Sequence, residues 1–305
     1  MRPRPGAPAL SLLLAALLLP ACSVKQVVVN VAGTAVAGSG GTFASDDDPE
    51  LVAAAIPFGL KTMESLLAAS PRNEALLLSA ASGFVQYSYA FVQLEADYVE
   101  ARDLGRATEQ RARAKRLYVR ALGYGLRGLE VKHARFVARL RTETELVLSQ
   151  ATKEDVPLLY WTAAAWAAAA AVSKTDAELT ADLPLVEAML KRALALDGGF
   201  GKGAIHDLLM SYEAGRPASA GGSVERARAH RDRAVVLSSG TRASVYVSWA
   251  ESVSVQAQDR MEFLELLEKA LAIDPDAHPE QRLANLIAQK RARWLLARAD
   301  ELFLE

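Results

Sequence analysis

The chain has 305 residues, of which 35 are basic and 36 acidic, for a formal net charge of −1. This balance, without a polybasic tract, argues against a nucleic-acid partner. A single cysteine excludes an internal disulfide, and with 51% hydrophobic residues the chain must gain its stability from burying apolar side chains.

Residues 1–21 are predicted to form the signal peptide of a lipoprotein. Two arginines precede an apolar run at residues 10–19, which is shorter than the ~20 residues that span a bilayer. The sequence LPAC at residues 19–22 is typical of a bacterial lipobox, so Cys22 is predicted to be lipidated after cleavage. The alternative is an ordinary signal peptide followed by a chance cysteine.

Lipidation of Cys22 predicts an exported protein that is anchored to a membrane, because each buried acyl methylene contributes about 0.8 kcal/mol. Ser23 follows the cysteine where an aspartate would favour the inner membrane. We therefore expect attachment to the outer membrane on its periplasmic side. Residues 22–48 contain the glycine-rich run GSGG and are predicted to be a flexible tether with at most a short ordered patch.

Residues 49–305 are predicted to form one all-α domain of about ten to twelve helices. Alanine, leucine and arginine dominate this part of the chain, which is a helical composition. Asp48 before Pro49 predicts a helix start, and Thr152 with Asp155 predicts a capping box. Three successive aspartates at residues 46–48 suggest calcium, but the helix cap explains them better, and no metal site is predicted.

Three similar segments indicate a degenerate tetratricopeptide-like repeat of helical pairs. They are ALALD at 193–197, AVVLS at 234–238 and ALAIDP at 270–275, offset by 41 and 36 residues. The offsets lie near the 34-residue tetratricopeptide period, and each segment is expected to end the second helix of a pair. Stacked pairs of this kind form a solenoid or bundle whose concave surface binds peptides or partners.

No catalytic motif is found in the sequence. The four histidines lack a zinc-binding spacing, and the chain has neither a GxSxG elbow nor a Walker loop. The glycine-rich residues 198–203 follow a helix rather than a strand, which favours a turn over a phosphate cradle. The protein is therefore predicted not to be an enzyme and to use no cofactor. An envelope hydrolase that uses Glu154 and Asp155 is the weaker alternative.

The segment 156–172 is apolar on all sides, which predicts a buried helix. Its aromatic residues belong either to the core or to the wall of an apolar ligand channel. Together with side chains of the following helices, the channel candidates are Tyr160, Trp161, Trp166, His206, Tyr212, Tyr246 and Trp249.

The last long helix interrupts its apolar face with basic residues at 290–293. In one interpretation the arginine stems cover neighbouring apolar surface on a solvated face. In the other, Arg291, Arg293 and Trp294 form a surface that docks a partner, because Arg and Trp are enriched at interface hot spots.

Several segments resemble the TatT family, the T component associated with tripartite ATP-independent periplasmic (TRAP) transporters. The resemblance covers nearly all of the mature chain. The distinctive segments are FASDDDPEL at 43–51, KTMESLL at 61–67, KEDVPLLYW at 153–161, GAIH at 203–206, and ANLIAQ at 284–289 followed by RARWLL at 291–296. The chain departs from the expected family pattern at HRD, residues 230–232, and at VYV, residues 245–247.

The resemblance implies an all-helical lipoprotein that forms a homo-oligomer such as a trimer. It also implies docking of the transporter's periplasmic substrate-binding protein and a channel for apolar or amphipathic ligands. The function predicted is therefore that of a periplasm-facing accessory lipoprotein of a TRAP-type transporter. The alternative is a tetratricopeptide-like scaffold lipoprotein in outer-membrane assembly, without a small-molecule site.

Overall fold

The computed structural model describes residues 40–304, which form helices joined by turns and contain no strand. The all-α prediction is confirmed, while the helices outnumber the ten to twelve expected because several connections contain helices of only four to six residues. Cys22 and the signal peptide lie outside the described residues. The α-helices are α1 (Gly40–Ala44), α2 (Pro49–Ala69), α3 (Glu74–Ser88), α4 (Leu94–Val99), α5 (Leu104–Lys132), α6 (Phe136–Leu140), α7 (Thr144–Ser149), α8 (Val156–Ala171), α9 (Ala177–Ala181), α10 (Leu183–Leu196), α11 (Ala204–Ala214), α12 (Val224–Leu237), α13 (Ala243–Trp249), α14 (Arg260–Leu271), α15 (Arg282–Leu296) and α16 (Ala299–Leu302).

Two predicted helix starts are built from the expected side chains. Asp48 precedes Pro49, and its carboxylate accepts hydrogen bonds from the backbone N–H groups of Glu50 and Leu51, both at 3.0 Å. The capping box before α8 also forms, with the Thr152 backbone N–H donating to Asp155 Oδ2 at 2.8 Å. These carboxylates satisfy backbone donors that a helix start leaves without partners.

Part of the segment assigned to the tether is helical. Helix α1 lies against α15 and against the 3₁₀ turn Pro279–Gln281. The Arg282 guanidinium also donates from Nη1 to the Ser45 carbonyl oxygen at 3.1 Å. Tertiary contacts with the end of the chain therefore order residues before Pro49, where glycine and serine content alone predicts coil.

The long helices pack as successive pairs. Helix α3 packs against α5, α8 against α10, α11 against α12, and α13 against α14. The first two of the three similar segments form the last turns of α10 and α12, and the third begins at the end of α14 and continues into the turn after it. Each segment thus lies at the end of the second helix of its pair. The repeat predicted from the sequence is thereby confirmed in the fold.

The pairs close into a ring. Each pair contacts the next, and α15 returns to contact α1 and α2 near the other end of the chain. Two side-chain contacts join α4 to α15: Arg291 pairs with Asp97 at 3.1 Å, and the rings of Trp294 and Tyr98 lie 5.4 Å apart. The stack of pairs thus encloses an interior rather than ending in two free faces.

Two hydrophobic cores support the ring. The larger core extends from α2 to α11 and contains the apolar helix α8. The smaller core extends from α11 to α16 around Trp249 and Phe263, both 0% exposed. Helix α11 joins the two cores, because Leu209 packs in the first and Met210 in the second.

Two helical stretches among the described residues are long and apolar enough to cross a bilayer by length and composition alone. They are Pro49–Ala69 and Glu74–Val99, with 17% and 50% of their apolar windows buried. The second stretch packs in the larger core, whereas α2 leaves most of its apolar surface open.

Candidate functional site: an enclosed space lined by tyrosines and a carboxylate

Tyr89, directly after α3, is exposed to solvent and yet surrounded by protein. The residue is 45% exposed, but burial strongly raises the pKa of its phenol, with Glu251 adding to the rise and Arg291 opposing it. Asp207 raises this pKa further. These three charged residues belong to three other parts of the ring, so we place Tyr89 on the inner side of the ring, in the region that we call the ring interior.

Two π-helical turns deliver side chains to the ring interior. The first turn, Tyr89–Gln93, links α3 to α4, and the second, Ala250–Ser254, follows α13. A π-turn inserts one residue into a helix and so changes the direction in which neighbouring side chains point, and such turns recur at functional sites. Here they place the phenol of Tyr89 and the carboxylate of Glu251 within electrostatic reach of each other.

Asp207 supplies a second carboxylate to the ring interior. It accepts a hydrogen bond from Ser244 Oγ at 2.8 Å, and Arg242 Nη1 lies 3.8 Å from the same oxygen. Burial raises the pKa of Asp207, while Arg242 and Ser244 oppose the rise. On α8, burial raises the pKa of Tyr160 to about 12, with Arg242 opposing and Asp207 adding. Asp207 thus lies within electrostatic reach of both tyrosines.

The chemistry of this lining favours an amphipathic ligand. The Tyr160 ring packs edge-on against Trp161, with centroids 4.9 Å apart, and lies 5.3 Å from the Phe200 ring. Aromatic faces accept apolar groups, and the Asp207–Ser244 pair provides a polar end. Within residues 40–304, no group of three or more His, Cys, Asp or Glu side chains is placed to hold a metal ion.

The structure brings only part of the predicted channel to this interior. Tyr160 and Trp161 adjoin it. His206 instead faces α12, where its Nδ1 lies 2.9 Å from Nδ1 of His230. Tyr212 is also directed elsewhere, since its hydroxyl donates to the Leu183 carbonyl oxygen at 2.9 Å.

The other three predicted channel residues lie outside the ring interior. Trp249 is 0% exposed and donates from Nε1 to Glu262 at 3.1 Å within the smaller core. Tyr246 packs against the same core. Trp166 is 3% exposed and lines a different cavity, beside α5 and α6. The prediction that Trp249 lines a channel does not match this placement, because the indole ring of Trp249 is covered on all sides.

The predicted docking residues are mostly used within the molecule. Arg291 is 5% exposed and pairs with both Asp97 and Glu251. The Trp294 ring packs on Tyr98, and the Arg291 guanidinium lies 4.2 Å from the centroid of the Trp294 ring. Arg291 and Trp294 therefore close the ring instead of presenting a docking surface. Arg293 remains exposed on α15.

Sequence reasoning missed Tyr89 and Glu251 as residues of the interior, and Asp97 as a contact that closes the ring. None of them belongs to a motif, and each lies in an ordinary helical pattern. Their roles depend on contacts between segments that are far apart in the chain. A signal was present only for Asp207, whose charge interrupts an apolar helix face beside His206.

The fold defines a class of protein: an all-α, tetratricopeptide-like stack of helical pairs that closes into a ring. A family model described as TRAP transporter T-component matches residues 45–303. An uncharacterized protein of Treponema pallidum (strain Nichols) is 32% identical over 267 residues, which cover 86% of this chain and 83% of that relative. The chain therefore belongs to the TatT family of TRAP transporter T-components.

Proposed function

We propose that the protein is a periplasm-facing lipoprotein of a TRAP-type transporter that docks the transporter's substrate-binding protein and holds an apolar or amphipathic ligand in its ring interior. Family membership supports the transporter role. The observation that carries the ligand site is Tyr89, which is accessible to solvent while charges from α11, the second π-turn and α15 surround it.

The proposal includes a lipid anchor at Cys22 and a homo-oligomer such as a trimer. The outer face of α2 supports self-association, because Leu51 and Phe58 are 58% and 79% exposed. Ala54 and Ala55 lie between them on the same helical face and are also exposed. A second copy packed on this face would remove its apolar surface from water, which is the main driving force for association.

Native mass spectrometry tests the assembly. The chain from residue 22 onward, with Cys22→Ser to prevent acylation, is mixed with the substrate-binding protein encoded beside the same transporter. We expect a multimer whose mass rises by that of the partner. A monomer that ignores this partner contradicts the proposal and favours the outer-membrane assembly scaffold.

Matched variants test the docking face. Arg293→Glu reverses an exposed charge on α15 and should weaken the complex about tenfold or more, since rim charges set association rates and interface charge reversal is costly. Arg116→Glu reverses an equally exposed charge on α5 and should leave the affinity unchanged. Equal affinities for both variants would place the docking surface elsewhere.

A second pair of variants tests the ligand site. Tyr89→Trp adds volume inside the ring and should remove any apolar ligand that accompanies the protein through purification. Val236→Trp adds an indole on the open surface of α12, where the native side chain is 63% exposed, and should retain the ligand. Retention of the ligand by both variants would exclude the ring interior as its site.

A further inference from the structure

A half-open cavity lies between α5, α6, α8 and α9, apart from the ring interior. Its volume is about 360 Å³, and ligand pockets commonly span ~300–1,000 Å³. None of Tyr89, Tyr160 and Asp207 contributes to its lining. We call this space the Trp166 cavity, after the indole on α8 that forms part of its wall.

Half of the residues that line the Trp166 cavity are aliphatic. Helix α5 contributes Leu122 and Leu126, and α6 contributes Leu140. Val119 and Val137 also line the cavity, although they are 43% and 40% exposed, so they lie where it opens to solvent. Aliphatic side chains at the opening offer water no hydrogen bonds, so this part of the cavity is suited to an apolar molecule.

One polar group in this wall has no partner. Trp166 is 3% exposed, and its Nε1–H meets no hydrogen-bond acceptor among the residues that the structure describes. A buried donor without a partner destabilises the fold, and tryptophan N–H groups usually find a partner when buried. Nε1 itself is covered by protein, so an acceptor on a bound molecule would supply that partner when the side chains of the cavity wall move aside.

The charges around the Trp166 cavity are already paired. Lys115 Nζ lies 2.7 Å from Asp176 Oδ2, and Arg141 donates to both oxygens of Asp182 at 3.0 and 2.6 Å. Glu178 adds a third carboxylate against the two cations. This excess of negative charge disfavours an anionic ligand and favours a neutral one.

The same ion pairs hold a cover over the cavity. Asp176 caps the start of α9, and Asp182 follows its end, so Lys115 and Arg141 fasten both ends of this helix. Helix α9 buries none of its own residues. Leu179 packs against the edge of the larger core, and two partly solvated salt bridges hold the ends of the helix. These salt bridges can open to admit a ligand.

We propose that the Trp166 cavity binds a small neutral apolar molecule that carries one hydrogen-bond acceptor, such as a ketone, which takes its hydrogen bond from Trp166 Nε1–H. This site is separate from the ring interior. Three probes of similar size and shape distinguish the chemistry: acetophenone carries a neutral acceptor, cumene carries none, and benzoate is an anion.

The test is NMR of the chain from residue 22 onward with Cys22→Ser, labelled with ¹⁵N at tryptophan. The Trp166 indole signal is assigned as the one that Trp166→Phe removes. We expect acetophenone to shift this signal in a saturable manner, and to bind about tenfold or more tightly than cumene, as an unpaired buried donor costs about 1–3 kcal/mol. Benzoate should not bind at the site.

Two further variants keep the outcome decisive. Val119→Trp fills the opening at an exposed position and should abolish the acetophenone shift, whereas Tyr89→Trp alters the ring interior and should leave it unchanged. No saturable shift at Trp166, or equal binding of all three probes, would overturn the proposal. Either result leaves the transporter role untouched, because the ring-interior and docking tests use different variants.

Discussion

Neighbouring residues on one helix have different roles in this protein. His206 faces α12 and contacts His230, while Asp207 faces the ring interior and accepts a hydrogen bond from Ser244. Successive helical residues point about 100° apart, so a shift of one position moves a side chain from a helix interface to the ring interior. The sequence identified the histidine as the candidate, and the adjacent carboxylate is the residue that reaches the interior.

The histidine contact predicts a loss of stability in mild acid. Burial, with His230 and Arg233 nearby, lowers the pKa of His206 to about 4, and burial also lowers the pKa of His230. An unfolded histidine has a pKa of about 6.5. Below that pH the unfolded chain binds protons that the folded chain does not, so the free energy of unfolding falls as pH drops from about 6.5 toward 4.

Urea unfolding at pH 7 and pH 5 measures this effect. The double variant His206→Gln/His230→Gln retains the carboxylates that titrate in the same range. It should lose less stability between the two pH values than the native chain. An equal loss would show that these histidines do not govern the acid response.

The surroundings of Asp155 and Glu154 distinguish a helix-capping role from a catalytic one. Asp155 is 1% exposed and accepts from the Thr152 backbone and from His133 Nε2, the latter at 3.0 Å. Burial alone would raise the pKa of Asp155, but Thr152, His133 and Lys132 together lower it. The carboxylate therefore has a structural role through Oδ2, while Oδ1 accepts no hydrogen bond and lies 3.4 Å from Lys132 Nζ.

We expect Asp155→Asn to destabilise the fold by about 0.5–2 kcal/mol, the usual range for a lost cap. Glu154→Gln changes an exposed neighbour and should stay within about 0.5 kcal/mol of the native chain. Denaturant unfolding of both variants gives the comparison. An effect at Glu154 as large as that at Asp155 would contradict the capping assignment.

At the scale of helices, composition and periodicity predict which helices are buried, because both patterns depend directly on the burial of apolar side chains. Helix α8 is apolar on every side, and it packs against α5 and α10 as that pattern predicts. The closeness of its approach to α5 was not foreseen. Gly125 on α5 lies against Thr162 of α8, where an added Cβ atom would come within 2.2 Å of the threonine side chain. Gly128 lies against Leu158, where an added Cβ atom would come within 2.5 Å of the leucine side chain.

Two glycine substitutions on α5 should therefore change the stability of the protein in opposite directions. Gly125→Ala forces Cβ against Thr162, including its backbone Cα at 3.2 Å, and should destabilise the protein by about 1–3 kcal/mol through overpacking. Gly123→Ala meets no atom within 4 Å and should stabilise the helix by up to about 1 kcal/mol. Thermal unfolding measures both, and stabilisation by Gly125→Ala would disprove the close contact.

At the scale of the whole molecule, closure of the ring depends on contacts between its two ends. Asp97 and Tyr98 on α4 meet Arg291 and Trp294 on α15. Arg291 also pairs with Glu251, so one guanidinium links α4, the second π-turn and α15. The enclosed character of the Tyr89 site depends on this closure.

Removal of the closing contacts should open the ring without unfolding it. The double variant Asp97→Asn/Trp294→Ala should speed amide hydrogen exchange in α1, α4 and α15 and cost about 1–3 kcal/mol. Glu301→Gln, which removes an exposed partner of Arg298 on α16, serves as the control and should leave exchange unchanged. Unaltered protection of α15 in the double variant would show that other contacts close the ring.

The sequence alone determined the helical class, the paired repeat, the caps at Asp48 and before α8, and the resemblance to the family, because these features are set by local composition, periodicity and motif. Only the tertiary structure decided which aromatic residues reach the ring interior. It buries Trp249 in the core, and it places Arg291 and Trp294 where they contact α4 and so join distant helices. The physical reason is that a side chain's surroundings depend on helix rotation and on contacts between segments far apart in the chain, which local patterns do not encode.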